Sequence, residues 1–175
     1  MKNNIALIGF MGAGKTVVGK TLAQRLNREF IETDTLIEQK AGKPIPEIFR
    51  QDGETAFREL EIEVIKEVAG EKNKVIACGG GVVHNKINTD RLKPGAVIVY
   101  LTATPQVILK RTSGEGGTRP LLNVTDRATE IRELLRLRKP LYERAADFKI
   151  DTSKLDIDSA AAQIISKLTA NESFS

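Results

Sequence analysis

The sequence has little of several features that define other classes of protein. It holds one cysteine, Cys78, which excludes an internal disulfide framework and fits a reducing compartment. Aromatic residues make up only 5% of the chain and tryptophan is absent. There is no basic tail and no interleaving of aromatic with basic residues, which argues against nucleic-acid binding. No apolar run reaches membrane-spanning length, and the start of the chain lacks a signal-peptide layout. We therefore expect a cytoplasmic protein with neither a membrane nor a nucleic acid as partner.

Length and charge indicate an ordinary globular protein. The 175 residues are enough for a self-sufficient core, and we expect a single domain over residues 1–175 that acts as a monomer. Its 27 basic and 23 acidic side chains give a net charge of +4. This mild excess suits an anionic small molecule as well as a nucleic acid, so it decides nothing by itself.

Residues 4–16 are the most informative stretch of the sequence. A short apolar run leads into a glycine-rich loop, and Gly9, Gly14, Lys15 and Thr16 occupy the fixed positions of the phosphate-binding pattern G-x-x-x-x-G-K-[ST]. Glycines let consecutive backbone N–H groups turn toward a phosphate, and the following helix aims its unpaired N–H groups at the same anion. Lys15 would neutralise the β- and γ-phosphates and Thr16 would hold Mg²⁺. The stretch predicts a nucleoside triphosphate site.

Apolar runs and helical repeats alternate along the rest of the chain. We expect five strands, at residues 4–9, 30–31, 75–78, 96–101 and 148–150. Helices are expected between them, at residues 15–26, 36–42, 47–51, 53–70 and 104–111, then from 126 past Leu141 and at 159–168. Residues 82–95 are interpreted only as a polar stretch, and Pro140 is expected to kink or weaken its helix.

This alternation predicts an α/β fold, a three-layer sandwich whose parallel strands are joined by crossover helices. Ligands gather at the carboxyl ends of the strands in such sheets. Three segments follow strands directly: Gly9–Thr16, Glu32–Asp34 and Gly79–Gly81. We expect them to converge.

Two carboxylates end the second predicted strand. Glu32 and Asp34 are two residues apart, so both side chains would point the same way. One could serve Mg²⁺ through water, and the other could accept a proton from a substrate hydroxyl. Alternatively, Asp34 merely caps the helix that follows. The spacing favours neither interpretation.

Glu54, Arg58 and Glu61 lie on one face of a predicted helix. A solvated ladder of ion pairs is the usual fate of such spacing and is favoured here. The alternative is an arginine that carboxylates hold rigid so that it binds a substrate carboxylate with two hydrogen bonds.

Two glycine-rich segments remain. Gly79–Gly81 directly follow a strand, and three glycines imply either positive φ angles or a close approach of the backbone to another group, for which a ligand is the better interpretation. Residues 112–124 carry no apolar periodicity, and Arg119 near their end suggests a closing lid that stabilises charge on a transferring phosphoryl group. Cys78 and His84 stand alone and are assigned no catalytic role.

At this point the chain resembles the shikimate kinases, a family within the nucleoside-monophosphate-kinase-like group of phosphate-loop folds. The matching elements follow the family's order: Gly9–Thr16, Phe30–Asp34, Gly53–Glu61, Ala77–Gly81, Thr118–Leu122 and Arg138–Glu143. The phosphate loop alone is generic, whereas the combination is specific. A GTPase switch is not indicated, since the sequence holds neither an Asp-x-x-Gly nor an Asn-Lys-x-Asp motif.

The resemblance implies a five-stranded parallel sheet with a mobile lid, and transfer of the γ-phosphoryl group of ATP to the 3-hydroxyl of shikimate. Its catalytic residues would be Lys15, Asp34 as base and Arg119 as the lid arginine. The residues that would contact ATP are Gly12, Ala13, Gly14, Lys15, Thr16, Val17, Arg111, Arg119 and Lys154. Those that would contact shikimate are Asp34, Arg58, Gly79, Gly80, Gly81 and Arg138. Mg²⁺ would lie at Thr16 and Glu32.

One position departs from the family pattern. The family usually has aspartate where this chain has Glu32. The extra methylene still allows a contact with Mg²⁺ through water.

Overall fold

The fold is a five-stranded sheet between two layers of helices. The computed structural model describes residues 1–113 and 126–175. The strands are β1 (Asn4–Ile8), β2 (Glu29–Glu32), β3 (Lys74–Ala77), β4 (Ala96–Thr102) and β5 (Phe148–Asp151). The helices are α1 (Lys15–Leu26), α2 (Thr33–Ala41), α3 (Ile45–Gln51), α4 (Gly53–Ala69), α5 (Lys86–Leu92), α6 (Pro105–Thr112), α7 (Arg127–Ala145) and α8 (Ile157–Thr169).

All neighbouring strands are parallel, in the order β2-β3-β1-β4-β5. The α/β three-layer prediction and its five strands are therefore confirmed. Strand β1 lies at the centre, so the loop that follows it emerges between the loops that follow β3 and β4. This order brings the ends of β1 and β3 side by side at the carboxyl edge of the sheet.

Side chains of the central strand alternate between two cores. Ile5 and Leu7 join a cluster with residues of α1 and α8, whereas Ala6 and Ile8 face a second cluster with residues of α2, α4, α5 and α7. Because both faces are covered, every residue of β1 is buried. A continuous apolar run is the pattern expected for such a strand.

The segment after the glycines contains two elements that the sequence analysis missed. A 3₁₀ turn covers Val82–His84, and α5 follows it. Asn88 is fully buried there, and its amide donates a hydrogen bond to the carbonyl of Val82 at 3.0 Å. The buried face of α5 therefore includes a polar side chain, whose Nδ2 has this partner and whose Oδ1 has none within the described residues. For this reason α5 lacks the apolar repeat from which a helix is predicted.

Pro140 does not interrupt α7, which runs unbroken from Arg127 to Ala145. Pro140 therefore does not end the helix, and the expected kink or weakening of its later turns stays a prediction. Proline removes the hydrogen bond to the carbonyl of residue 136, but residues 136 and 140 are both exposed. Solvent can hydrate the carbonyl that loses its partner, which lowers the cost of the proline at this position.

None of the helices within residues 1–113 and 126–175 combines the length and apolar character that a membrane crossing requires.

Candidate active site

The loop between β1 and α1 has the backbone that phosphate binding requires. Gly12 has φ 82° and Gly14 has φ 101°, conformations that favour glycine. Gly14 is the N-cap of α1, and no side chain caps this end of the helix. At Gly9, a Cβ atom would collide with the backbone carbonyl of Leu101 in β4. The loop is therefore shaped by its glycines, and no side chain competes for the first N–H groups of α1, which suits them to an anion.

Lys15 lies over this loop. Its ammonium group donates hydrogen bonds to the carbonyls of Gly9 at 2.6 Å and Phe10 at 3.0 Å. The side chain thus folds back along the phosphate loop, so its charge lies at the loop instead of extending into solvent.

The next residue of α1 contacts the end of β2. The Thr16 hydroxyl donates a hydrogen bond to Oε1 of Glu32 at 3.0 Å. This pair joins the two residues that were predicted to bind a metal. Both supply oxygen atoms, which are the ligands that Mg²⁺ prefers.

Arg111 anchors the other side of the loop. Its guanidinium donates to the Gly12 carbonyl at 3.0 Å and to the Thr152 carbonyl at 2.8 Å. Thr152 in turn donates from its hydroxyl to the Ala13 carbonyl at 2.7 Å. The end of α6 and the segment after β5 are therefore fixed against the phosphate loop. Lys154 lies exposed in that segment.

The glycine segment at residues 79–81 is held against the end of β2 by Thr33. This buried side chain accepts a hydrogen bond from the N–H of Gly79 at 3.0 Å and donates to the Ala77 carbonyl at 3.4 Å. The sequence analysis missed Thr33, because its role depends on a strand that lies more than forty residues further along the chain.

Close approach, and not positive φ, explains the glycines themselves. A Cβ atom on Gly79 would lie 2.6 Å from Oδ1 of Asp34, and one on Gly81 would lie 2.7 Å from Cζ of Arg58. The segment is not among the positions with positive φ. The predicted approaching group was a ligand, whereas the groups nearest to Gly79 and Gly81 are two of the protein's own side chains, Asp34 and Arg58.

Arg58 is the predicted carboxylate-binding arginine, and its side chain is only 12% exposed. It donates to Oε1 of Glu61 at 3.0 Å and to the carbonyl of Gly81 at 3.2 Å, and it lies 3.5 Å from Glu54. Its guanidinium also lies over the ring of Phe57, 5.1 Å from the centroid. A solvated ladder would leave this arginine exposed, so the burial favours the alternative of a rigidly held guanidinium.

Glu61 is buried behind Arg58. Burial raises the pKa of this carboxyl above its usual value, against the opposing effect of Arg58, and the negative charge of Asp34 adds to the rise. Since a raised pKa reflects a disfavoured charge, the contact with Arg58 is what this carboxylate depends on.

Arg138 approaches the glycine segment from α7. It is 2% exposed, its Nη1 lies 3.6 Å from where a Cβ on Gly80 would be, and its guanidinium lies 5.6 Å from the ring centroid of Phe10. Nη2 lies 3.2 Å from Nε2 of His84. Within residues 1–113 and 126–175, Nε and Nη1 have no hydrogen-bond partner. Buried guanidinium donors usually find partners, so these two are suited to a ligand.

Tyr142 lies one turn after Arg138 and also contacts the glycine segment. We call Arg58, Arg138, Tyr142 and residues 79–81 together the acceptor wall. The Tyr142 hydroxyl donates a hydrogen bond to the Gly80 carbonyl. Burial raises the pKa of the phenol to about 12, so the group stays protonated and remains a donor at neutral pH. Tyr142 and His84 were both missed as site residues, and periodicity on α7 carries no signal that could single out Tyr142.

One cleft of about 380 Å³ lies between the phosphate loop and the ends of β2 and β3. It is lined on one side by the phosphate loop and on the other by the ends of β2 and β3, including Gly12, Gly14, Lys15, Thr16, Val17, Glu32, Asp34, Gly79 and Gly80. The predicted convergence of the three segments after β1, β2 and β3 is therefore confirmed. Arg119 and the predicted lid beyond residue 113 lie outside the described residues.

Comparison with known proteins identifies the family. A sequence profile described as Shikimate kinase matches residues 11–169. The chain belongs to the shikimate kinase family. A shikimate kinase of Caldanaerobacter subterraneus subsp. tengcongensis is 48% identical over 93% of this chain and 94% of its own length, and one of Pelotomaculum thermopropionicum is 45% identical over 93% of both chains.

Solved structures of shikimate kinases share the fold. The enzyme of Acinetobacter baumannii in complex with shikimate is 39% identical, with a TM-score of 0.94 over 98% of this chain and 96% of that one. The enzyme of Aquifex aeolicus is 33% identical, with a TM-score of 0.80 over 96% of this chain and 97% of that one. These relationships confirm the predicted family, the phosphate-loop kinase fold and the reaction, ATP-dependent phosphorylation of shikimate.

Proposed function

We propose that this chain, as a single-domain monomer of the cytoplasm, phosphorylates the 3-hydroxyl of shikimate with Asp34, Arg58 and Arg138 as its acceptor-binding side chains. The observation that carries the proposal is the meeting of two arginines, Arg58 and Arg138, at residues 79–81, because Gly79 and Gly80 of that segment also line the cleft beside the phosphate loop. The guanidinium groups of Arg58 and Arg138 suit a carboxylate of the acceptor, and the carboxylate of Asp34 suits a hydroxyl of the acceptor. The acceptor these groups fit is an acidic polyol.

In the proposed reaction Asp34 acts as the base. The acceptor oxygen forms a bond to the γ-phosphorus of ATP while the bond between that phosphorus and the bridging oxygen of ADP breaks. The hydroxyl proton passes to the Asp34 carboxylate. Lys15 and the loop N–H groups stabilise the charge on the phosphoryl oxygens, a task that we also propose for Arg119.

The residues at the mouth of the phosphate loop fit a magnesium ion. Mg²⁺ is usually held by one or two protein oxygens together with water and substrate phosphates. Thr16 and Glu32 supply such a pair, and no cluster of three or more His, Cys, Asp or Glu side chains suited to a metal occurs in the described part of the chain. We propose that these two residues hold the ion, Glu32 through water, where it would neutralise phosphate charge.

We assign the adenine end of ATP to the segment beyond the loop. Arg111 and residues 152–155, including Lys154, flank the phosphate loop on the side away from Asp34, and Arg111 already contacts Gly12. This placement supports an adenine contact in that region.

The direct test measures ADP release by the purified protein with ATP, Mg²⁺ and shikimate. The rate should far exceed that with ATP alone. Gluconate, CMP and AMP serve as competing acceptors, and turnover with any of these but not with shikimate would refute the assignment. The methyl ester of shikimate should be a poor substrate, since it lacks the charge that the two arginines would bind.

Substitutions test the assigned roles. Arg58→Met should raise the KM for shikimate and leave the KM for ATP nearly unchanged, whereas Arg50→Met removes an exposed arginine on α3 and should change neither. An equal loss for both substrates would contradict the acceptor role of Arg58. Asp34→Asn should abolish turnover while the thermal melting temperature is retained, because the change is nearly isosteric. Unfolding of this variant would instead indicate a structural role of this carboxylate in the first turn of α2; it is not the predicted helix cap, because α2 begins at Thr33 and its N-cap is Glu32.

A further inference from the structure

His84 contacts Arg138 of the acceptor wall but is not among the residues proposed to bind the acceptor. It ends the 3₁₀ turn that follows the glycine segment, is exposed to solvent, and lies with Nε2 only 3.2 Å from Nη2 of the buried Arg138. It is the only histidine in the 175-residue sequence. No step of the proposed reaction uses it.

The chemistry of this contact fixes the state of the imidazole. A guanidinium has five N–H donors, no acceptor, and no accessible neutral form. Nε2 of His84 must therefore be the acceptor, which requires a neutral ring with its proton on Nδ1. An imidazolium has donors at both nitrogens and would place a second positive charge against Arg138.

The contact also determines which donors of Arg138 remain. Nη2 is engaged by His84, whereas Nε and Nη1 have no partner among the described residues. Arg138 also lies over the ring of Phe10, a contact that does not fix rotation of the guanidinium in its own plane, and it interacts with Tyr142 one turn along the same helix. His84 supplies a directional restraint from a different element, the 3₁₀ turn.

We propose that neutral His84 is a positioning residue that orients Arg138 toward the carboxylate of the acceptor, and that its protonation releases Arg138 and weakens acceptor binding. The proposal rests on the acceptor role given above to Arg138. Acceptor affinity then depends on pH in a range where the acceptor itself does not titrate, since a carboxylic acid ionises near pH 4.

The surroundings of His84 set the sign of this dependence. Partial desolvation, followed by the positive charges of Arg138 on α7 and Arg58 on α4, lowers the pKa of the imidazole, while Glu54 on α4 opposes them. On α5, which packs against the same turn, Lys86 and Asp90 form an ion pair at 2.8 Å. The contact is therefore present above a pKa that lies below the usual 6.5, and it is lost as the pH falls through that value.

Nuclear magnetic resonance can read the imidazole directly in the untagged chain. Because there is one histidine, its ring signals need no assignment by mutation. We expect the Nδ1–H tautomer and a midpoint below 6.5. An Nε2–H tautomer, or a midpoint at or above the usual value, would overturn the proposal.

Calorimetric titration of shikimate without nucleotide then measures the consequence, free of the ionisation of ATP. His84→Gln keeps an acceptor that does not titrate, so its dissociation constant should match the wild-type value at pH 8 and stay flat down to pH 5.5. His84→Leu should weaken binding relative to the wild type at pH 8 by up to about 10- to 150-fold, the effect of one hydrogen bond to a charged group, and its dissociation constant should not change between pH 8 and 5.5. Lys86→Gln, which removes a nearby cation without touching Arg138, should follow the wild-type curve.

The outcomes separate this proposal from the one it rests on. If Arg138→Lys binds shikimate as the wild type does, the acceptor role of Arg138 fails. If Arg138→Lys loses affinity while His84→Leu and His84→Gln both follow the wild-type curve, the positioning role of His84 fails alone. Tighter binding on acidification of the wild type would mean that the imidazolium attracts the carboxylate itself, and would also overturn the proposal.

Discussion

Gly81→Ala tests the acceptor wall directly. The backbone at residue 81 can accommodate alanine, whereas the neighbouring Arg58 side chain leaves no room for the added Cβ atom. Residue 81 has φ −97° and ψ 11°, which alanine can adopt. The added Cβ, however, would lie 2.7 Å from Cζ of Arg58 and closer still to its terminal nitrogens. An ordinary contact needs about 3.4 Å or more. The guanidinium must move by about 1 Å, and its hydrogen bonds to Glu61 and to the Gly81 carbonyl must lengthen or break.

The magnitude follows from the bond that the acceptor would lose. A hydrogen bond to a charged group contributes about 1.5–3 kcal/mol. If the displaced Arg58 no longer reaches the acceptor carboxylate, the KM for shikimate should rise about 10- to 150-fold. The KM for ATP should stay within about twofold of the wild type, since the hydrogen bonds of Arg58 are with Glu61 and Gly81 and not with the phosphate loop.

The assay is steady-state ADP release with each substrate varied in turn, together with a thermal melt. Gly70→Ala is the matched control. It lies at the end of α4 with φ −81°, and its Cβ would meet nothing closer than 3.4 Å. It should leave both KM values unchanged and alter stability by less than about 1 kcal/mol. If Gly81→Ala gives the same KM for shikimate as Gly70→Ala, the proposed contact between Arg58 and the acceptor is refuted.

Three further changes test other parts of the site. Gly79→Ala would place a Cβ 2.6 Å from Oδ1 of Asp34, so single-turnover experiments should show a slower chemical step with ATP affinity retained. Thr33→Val leaves the N–H of Gly79 without its acceptor, and urea unfolding should show a loss of about 1–3 kcal/mol that the hydroxyl-bearing Thr33→Ser largely avoids. The folded state raises the pKa of Glu61, so the stability this group contributes is present below its unfolded pKa and lost as the pH rises through the folded value. Glu61→Gln should therefore reduce the fall in stability as the pH rises above the unfolded pKa, whereas Glu63→Gln, at an exposed position of α4, should leave that fall as it is.

The local parts of this protein could be predicted from the sequence. A pattern within a few residues is enough to predict three of its elements: the apolar run of β1, the glycines of the phosphate loop and the helical repeat of α4. Parallel pairing follows from the strand–helix alternation. Convergence of the three site segments could be deduced as well, since the carboxyl ends of parallel strands share one edge.

Contacts between distant segments could not be deduced. The helical spacing of Arg58 from Glu54 and Glu61 is the same in an exposed ladder of ion pairs as in a ligand-binding site. The two interpretations are distinguished only by the backbone of residues 79–81, which packs beside Arg58. Thr33 and Gly79 are 46 positions apart, and His84 and Arg138 are 54 apart. No period or motif links such residues, so their roles emerge only from the packed structure.

The close fit of residues 79–81 also limits how this enzyme could escape an inhibitor. A compound that donates hydrogen bonds to the backbone carbonyls here contacts groups that no substitution can remove. The usual route to resistance is a side chain that blocks the compound sterically, but at position 79 or 81 that side chain would displace Asp34 or Arg58. Resistance at these positions would thus be coupled to loss of the enzyme's own activity, which makes this short backbone a durable target.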